Sequence, residues 1–196
     1  MKRYQKTAVI LAGGAGSRMG YVDKAFLRYK DKTFIQCLLE RVKGYGEILI
    51  VSNSPEKYRD TSIKVVEDRV KGIGPLGGIY TGLIHSTYDE ILVISCDTPF
   101  QDMGFLEYLG ELSGEYEVAL PVHRDGREPL TALYKKSLTG EIVKMIEDER
   151  YKIAFLYDRS VVKRVDIEEF EESLEIKKGF KNINTPEELR EAGGSR

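Results

Sequence analysis

The chain has 196 residues, 41% hydrophobic and 32% charged, which suits one soluble domain with a substantial core, and residues 1–196 are read as a single domain. Its 30 basic side chains nearly balance 32 acidic ones, leaving a net charge of −2 and excluding the broad basic face with which nucleic-acid binders meet a polyanion. Two cysteines, Cys37 and Cys96, without a CxxC pair, and two histidines away from metal-ligand spacing exclude a disulfide framework and a zinc site, so both thiols are expected in the core.

The amino terminus, MKRYQKTAVILAGG, starts basic, but its apolar run is too short for a leader and enters glycines with no cleavage site. No later stretch approaches the roughly 20 apolar residues of a membrane span, so a cytoplasmic protein is expected. Strand-length apolar runs follow at 7–12 (TAVILA), 47–53 (EILIVSN), 63–68 (IKVVED), 90–97 (EILVISCD) and 116–122 (YEVALPV), with helices expected at 33–43, 77–87 and 102–113. The runs are rich in Val and Ile and apolar throughout instead of alternating, which is how strands of a parallel sheet covered on both faces read. The fold class is therefore α/β, a three-layer sandwich around a mostly parallel sheet.

In the second half, TGEIVKMIEDER (139–150) has Ile142, Val143 and Ile146 at helical spacing, with Thr139 expected as its N-cap. NINTPEELREA carries a fuller start signal: Thr185 as cap, Pro186 in the first turn and Glu188 three residues after the cap. No repeat or Pro/Ser-rich linker divides the chain.

The segment ILAGGAGSRMGYVDKAF (10–26) places Gly13, Gly14 and Gly16 directly behind the first strand, followed by Arg18 and Lys24. Glycines there let successive backbone N–H groups turn toward an anion, while the arginine fork and the lysine charge suit the oxygens of a triphosphate. Neither a Rossmann nor a Walker A fingerprint is present, because both need glycine where Met19 stands. Taken alone, such a loop serves equally as a tight turn. Asp97 ends an apolar strand at the edge where open α/β sheets bind ligands, and a carboxylate there can hold Mg²⁺ or close an Asx turn. Asp68 repeats the arrangement ahead of GIGPLGGIYTGL, whose Gly74, Gly77 and Gly78 line a helix start able to offer free N–H groups.

Five blocks, LAGGAGSRMGYVDK, VVEDRVKGIGPLGG, VISCDTPF, GREPLTALY and NINTPEEL, in this order resemble the molybdenum cofactor guanylyltransferases, the MobA family, over about residues 7–190. The resemblance implies a Rossmann-like nucleotidyltransferase fold and transfer of GMP from Mg·GTP to the terminal phosphate of molybdenum-bearing molybdopterin. It further implies GTP contacts from Leu11, Ala12, Gly13, Lys24, Asn53, Asp68 and Asp97, with Asp97 also binding Mg²⁺. Arg18, Lys24 and Asp97 would then carry catalysis by stabilising charge, and no nucleophilic side chain is needed because the acceptor phosphate brings its own oxygen. His85 and His123 are expected at a helix surface or turn and at a strand end.

For the acceptor, Arg124, Arg127 and Lys135 offer positive charge, and Asn182 and Asn184 resemble the asparagines of the family's NxNTPEE block. Expected partners are GTP, the molybdopterin cofactor, cofactor-receiving apoenzymes and other cofactor-biosynthesis proteins, with no nucleic acid and no membrane. Two alternatives stay open: the cytidylyl branch, whose first loop resembles LAAG where this chain has LAGG, and a noncatalytic nucleotide-binding regulator.

Overall fold

The computed structural model describes residues 3–12, 23–59, 61–191 and 194–195. Strands β1 (Tyr4–Leu11), β2 (Arg28–Tyr29) and β3 (Lys32–Thr33) precede α1 (Phe34–Arg41), β4 (Tyr45–Val51), β5 (Lys64–Val66), α2 (Pro75–His85), β6 (Glu90–Ser95) and α3 (Met103–Glu111). Then come β7 (Val118–His123), β8 (Gly126–Arg127), β9 (Thr131–Lys135), α4 (Thr139–Glu147), α5 (Ala154–Tyr157), β10 (Val162–Asp166), α6 (Ser173–Gly179), α7 (Pro186–Glu191) and β11 (Gly194–Ser195).

The central sheet has the order β10-β7-β9-β6-β1-β4-β5. β1 is flanked in parallel by β4 and β6, with Val9 opposite both Leu49 and Val93. Among the described residues, only β9 and the short β8 run against the others in this sheet, β9 lying antiparallel between β6 and β7. The carboxyl ends of β1, β4, β5, β6, β7 and β10 therefore share one rim, which positions the site described below. β2, β3 and β11 make a separate small antiparallel sheet.

Alternate residues of each strand enter opposite cores, which explains the unbroken apolar runs. Ile10 and Leu92 pack with Ile35 and Leu38 of α1, Phe105 and Leu109 of α3 and Ile176 of α6. Val9 and Ile91 pack with Leu76, Ile79 and Leu83 of α2 and Ile142 and Met145 of α4. The three-layer α/β architecture expected from the sequence is thus present, and both cysteines are buried and free.

α1 begins in a capping box: the Gln36 amide donates to Thr33 Oγ1 at 3.4 Å and the Thr33 amide to Gln36 Oε1 at 2.8 Å. Thr139, expected as an N-cap, is instead already helical. A 3-10 turn over Lys136–Leu138 runs straight into α4, and the Thr139 hydroxyl donates back to the Lys136 carbonyl at 2.7 Å. Among the described residues no helix is long and apolar enough to cross a membrane.

Candidate active site

Beyond the formal end of β1 the ladder continues for one more step. The Ala12 amide donates to the Val51 carbonyl at 2.9 Å, and the Cys96 amide to the Leu11 carbonyl at 3.0 Å. This locks the tips of β4, β1 and β6 together before their loops diverge. Beside them opens a cavity of about 390 Å³ lined by Leu11, Ser52, Asn53, Asp68, Gly74, Gly78, Ser95 and Leu130, among others. Its size and mixed apolar and polar wall match a small-ligand pocket.

Two glycines of α2 let the helix start close over this wall. A Cβ on Gly78 would stand 2.8 Å from Leu11 Cδ2, and one on Gly77 would stand 2.6 Å from the Val70 carbonyl oxygen and 3.1 Å from Asp68 Oδ1. Asp68 is half-buried there, and its Oδ1 accepts from the Thr81 hydroxyl at 2.9 Å. Thr81 Oγ1 in turn accepts from the Arg69 amide at 2.9 Å, fixing the loop between β5 and α2.

Lys24 opens a single 3-10 turn, Lys24–Phe26, capped by Asp23, whose Oδ1 accepts from the Ala25 amide at 3.2 Å. Its ammonium donates to Asn184 Oδ1 at 2.5 Å and lies 3.7 Å from Asp97 Oδ2. The Lys24 and Asp97 side chains are only 19% and 23% exposed, so their attraction is less screened than that of a surface pair. Asn184 arrives from the far end of the chain because its neighbour docks: the Ile183 amide donates to the Asp97 carbonyl at 2.8 Å, and Ile183 is buried against Leu27, Phe34 and Leu189. The expected start of α7 holds this segment, with the Glu188 carboxylate accepting from the Asn184 and Thr185 amides at 2.6 and 2.9 Å while its own amide donates to Thr185 Oγ1 at 3.2 Å. Hydrogen bonding from the Asn184 amide outweighs burial and holds the Glu188 carboxyl below its ordinary range.

Of the residues singled out in the sequence, Leu11, Asn53 and Asp68 line the cavity, whereas Lys24, Asp97 and Asn184 form a cluster beside it, with Asp97 two residues beyond the cavity-lining Ser95. Gly13 and Arg18 lie outside the described residues. Asn182 is exposed near this cluster in sequence. Arg127 is exposed in the β8 hairpin at the tip of β7, its guanidinium 5.9 Å from the centre of the Tyr157 ring. Lys135 stands opposite Glu90, the first residue of β6, and so occupies the opposite rim. His123 ends β7 and bonds Glu128 through Nε2 at 2.9 Å. Burial, with the Asp97 charge adding to it, pushes the Cys96 thiol up to about 12, which favours the protonated thiol beside Asp97 at neutral pH. Ser52, Thr81 and Leu130 are site residues that no pattern in the sequence marks.

Among the described residues no three His, Cys, Asp or Glu side chains converge on a metal-sized site. One carboxylate at the rim still suits Mg²⁺ carried by a nucleotide, since that ion is commonly held by one or two carboxylates with phosphate oxygens and waters supplying the rest. Asp97 fits this role.

Residues 8–165 match the MobA-like NTP transferase domain. A protein of Clostridium perfringens strain 13 named as a probable molybdenum cofactor guanylyltransferase is 38% identical over 190 residues, covering 95% of this chain and 96% of the relative. One of the same name from Peptoclostridium acidaminophilum is 30% identical over 196 residues, covering 94% and 87%. The crystal structure of molybdopterin-guanine dinucleotide biosynthesis protein A from Archaeoglobus fulgidus superimposes with a TM-score of 0.80 at 28% identity, covering 95% of this chain and 96% of that one.

Proposed function

The chain belongs to the MobA-like NTP transferase family, and from that premise we propose that it transfers GMP from Mg·GTP to the terminal phosphate of molybdenum-bearing molybdopterin. The observation that carries this reading is the convergence of Lys24, Asp97 and Asn184 at the β6 tip, next to a nucleoside-sized cavity walled by Leu11, Asn53 and Asp68.

The cavity takes the nucleoside, through the Leu11, Ala12 and Gly13 backbone and the Asn53 and Asp68 side chains, and the triphosphate extends toward Lys24 and Asp97. An oxygen of the acceptor phosphate attacks the α-phosphorus, a new P–O bond forms, and the bond to the β-phosphate oxygen breaks to release pyrophosphate. Lys24 and Arg18 place positive charge where negative charge accumulates on the transferring group, and removal of one such electrostatic group typically costs 10²–10³ in rate. Asp97 would hold Mg²⁺, which when bound neutralises phosphate oxygens and favours departure of pyrophosphate. Arg127 and Asn182 are the proposed contacts of the acceptor, while Asn184, also expected there from the sequence, is proposed instead to hold Lys24, from whose ammonium its Oδ1 already accepts. The same reading makes residues 1–196 one catalytic domain working in the cytoplasm, with no nucleic-acid or membrane partner, and handing its product to cofactor-receiving apoenzymes.

The test is purified protein with Mg²⁺, molybdopterin-bearing acceptor and either GTP or CTP, scored for pyrophosphate and dinucleotide. Turnover with GTP supports the reading. Turnover with CTP alone would assign the chain to cytidylyl transfer, and GTP binding without product would make it a regulator. Asp97→Asn should abolish turnover while leaving the circular dichroism spectrum unchanged, and near-normal rates at saturating Mg²⁺ would contradict its role.

A further inference from the structure

Thr81 is 0% exposed in the middle of α2, a helix that otherwise gives Leu76, Ile79 and Leu83 to the core. A buried hydroxyl costs stability unless it is paired, and valine would fill the same space with no polar atom to satisfy. A threonine inside a helix ordinarily returns its hydroxyl proton to the carbonyl one turn earlier. Thr81 sends it elsewhere. The Arg69 amide donates to Oγ1 at 2.9 Å, and the hydroxyl's own proton goes to Asp68 Oδ1, also at 2.9 Å.

Asp68 Oδ1 accepts a second time, from the Val70 amide at 3.4 Å, in the manner of an Asx turn at the start of the loop between β5 and α2. Both bonds fall on one oxygen. Oδ2 accepts from no described residue, and Asp68 lines the cavity, so Oδ2 is the oxygen left for a ligand. The loop bends through Gly72 and Gly74, at φ of 83° and 69°, and both glycines line the same cavity. Glycine bends of this kind leave a backbone many alternatives. Through its two bonds Thr81 ties the loop, at Arg69, and the Asp68 carboxylate to one point on a helix packed into the core.

We infer that Thr81 is a positioning residue for nucleotide recognition: its hydroxyl occupies Asp68 Oδ1 and so presents Oδ2 as a single, fixed acceptor to donors on the nucleoside. Thr81 does not line the cavity and acts only through Asp68. This role rests on the proposed nucleotide site but not on the acceptor or on turnover.

The experiment is calorimetric titration with Mg·GTP, and with Mg·CTP alongside, of wild type, Thr81→Val, Thr81→Ser, Asp68→Ala and the Thr81→Val/Asp68→Ala double variant, each first shown to be folded by circular dichroism. Thr81→Val should bind the nucleotide about tenfold more weakly, as expected for the loss of one hydrogen bond to a charged group, whereas Thr81→Ser, which keeps the hydroxyl, stays within twofold of wild type. Asp68→Ala should bind at least as weakly as Thr81→Val, and the double variant should match it within twofold, because Thr81 then has nothing left to position. In steady-state assays the Thr81→Val loss should fall on KM for the nucleotide with kcat within twofold, a split that general loosening of the helix would not produce. Should valine prevent folding, Thr81→Cys, whose thiol is a weak donor, carries the same expectation. Binding by Thr81→Val within twofold of wild type overturns the inference, as does an equal loss in Thr81→Ser, a loss carried by kcat, or losses that multiply in the double variant. Asp68→Ala that binds like wild type overturns it together with the Asp68 contact. Wild type that binds Mg·GTP but transfers nothing sinks the guanylyl-transfer reading and leaves this one standing; wild type that binds neither nucleotide sinks both.

Discussion

Asn184→Ala removes the oxygen that accepts from Lys24 Nζ at 2.5 Å and spares the Glu188 capping box, whose bonds use the backbone amides of Asn184 and Thr185. What then remains for Lys24 is Asp97 at 3.7 Å, beyond hydrogen-bond length. A hydrogen bond to a charged group contributes about 1.5–3 kcal/mol, equivalent to roughly 10- to 150-fold in an equilibrium or rate ratio. Both side chains of the pair keep about a fifth of their exposure, so solvent screening sets the expectation toward the lower end of that range. Pyrophosphate release measured while GTP and acceptor are varied separately should show kcat reduced, KM for the acceptor within twofold of wild type, and a melting temperature shifted by no more than about 2 °C, at most about 1 kcal/mol for a chain of this length. A kcat/KM within twofold of wild type would refute the idea that Asn184 holds the lysine. A loss confined to KM for the acceptor would make Asn184 a substrate contact instead.

Gly77→Ala would place a methyl group 2.6 Å from a backbone carbonyl, which cannot swing aside as a side chain can. Because the obstacle is backbone, overpacking should fall near the top of the usual range, about 3 kcal/mol, and after an offset of up to about 1 kcal/mol of helix propensity should lower the melting temperature by roughly 4–8 °C and weaken GTP binding by displacing Asp68; an unchanged melting curve would count against the close approach. Lys6→Met strips the buried Glu90 carboxylate of the ammonium 3.0 Å away and leaves the Leu112 carbonyl without its 2.8 Å donor. A cost of roughly 3–5 kcal/mol is expected by denaturant titration, much of it recovered in Lys6→Met/Glu90→Leu, and a single variant within 1 kcal/mol of wild type would show that the pair is dispensable. Glu47 is pushed up by burial but pulled further down by the Thr87 amide at 2.7 Å and the Thr7 and Thr87 hydroxyls at 2.7 and 3.0 Å, so its carboxyl lies below the ordinary range. A lowered folded-state value means that its contribution is full above the unfolded pKa of about 4.3 and is lost as pH falls through the folded value. Wild type should therefore lose stability more steeply than Glu47→Gln below about pH 5, and parallel acid limbs would refute this.

The strands that carry the site were legible because both of their faces are buried, which turns β1, β4 and β6 into continuous apolar runs. β9 was not, since TALYK lacks Val and Ile and sits behind the charged GRE turn, although Thr131 through Tyr134 are all buried. β10 hides for the opposite reason: as an edge strand it exposes Lys163 and Arg164 and buries Val165, so no apolar run announces it. Lys24 and Asp97 were recognisable by residue type and by their place after strands. The acceptor side was less so, because a basic residue in a turn looks the same whether it faces a ligand, rests on a ring as Arg127 does, or belongs to the far rim as Lys135 does. The Thr81 bond to Asp68 and the Asn184 bond to Lys24 join residues 13 and 160 positions apart, and no local periodicity encodes either.

That 160-residue separation bears on how the enzyme is made. At about 5–20 residues per second, translation delivers Asn184 roughly 10–30 s after Lys24. A nascent chain on the ribosome can assemble β1, β4 and β6 while its lysine still lacks the amide oxygen that will orient it. Under the proposed role of Lys24, full binding competence arrives late, so truncated or stalled translation products should not sequester nucleotide in a correctly aligned but unproductive form.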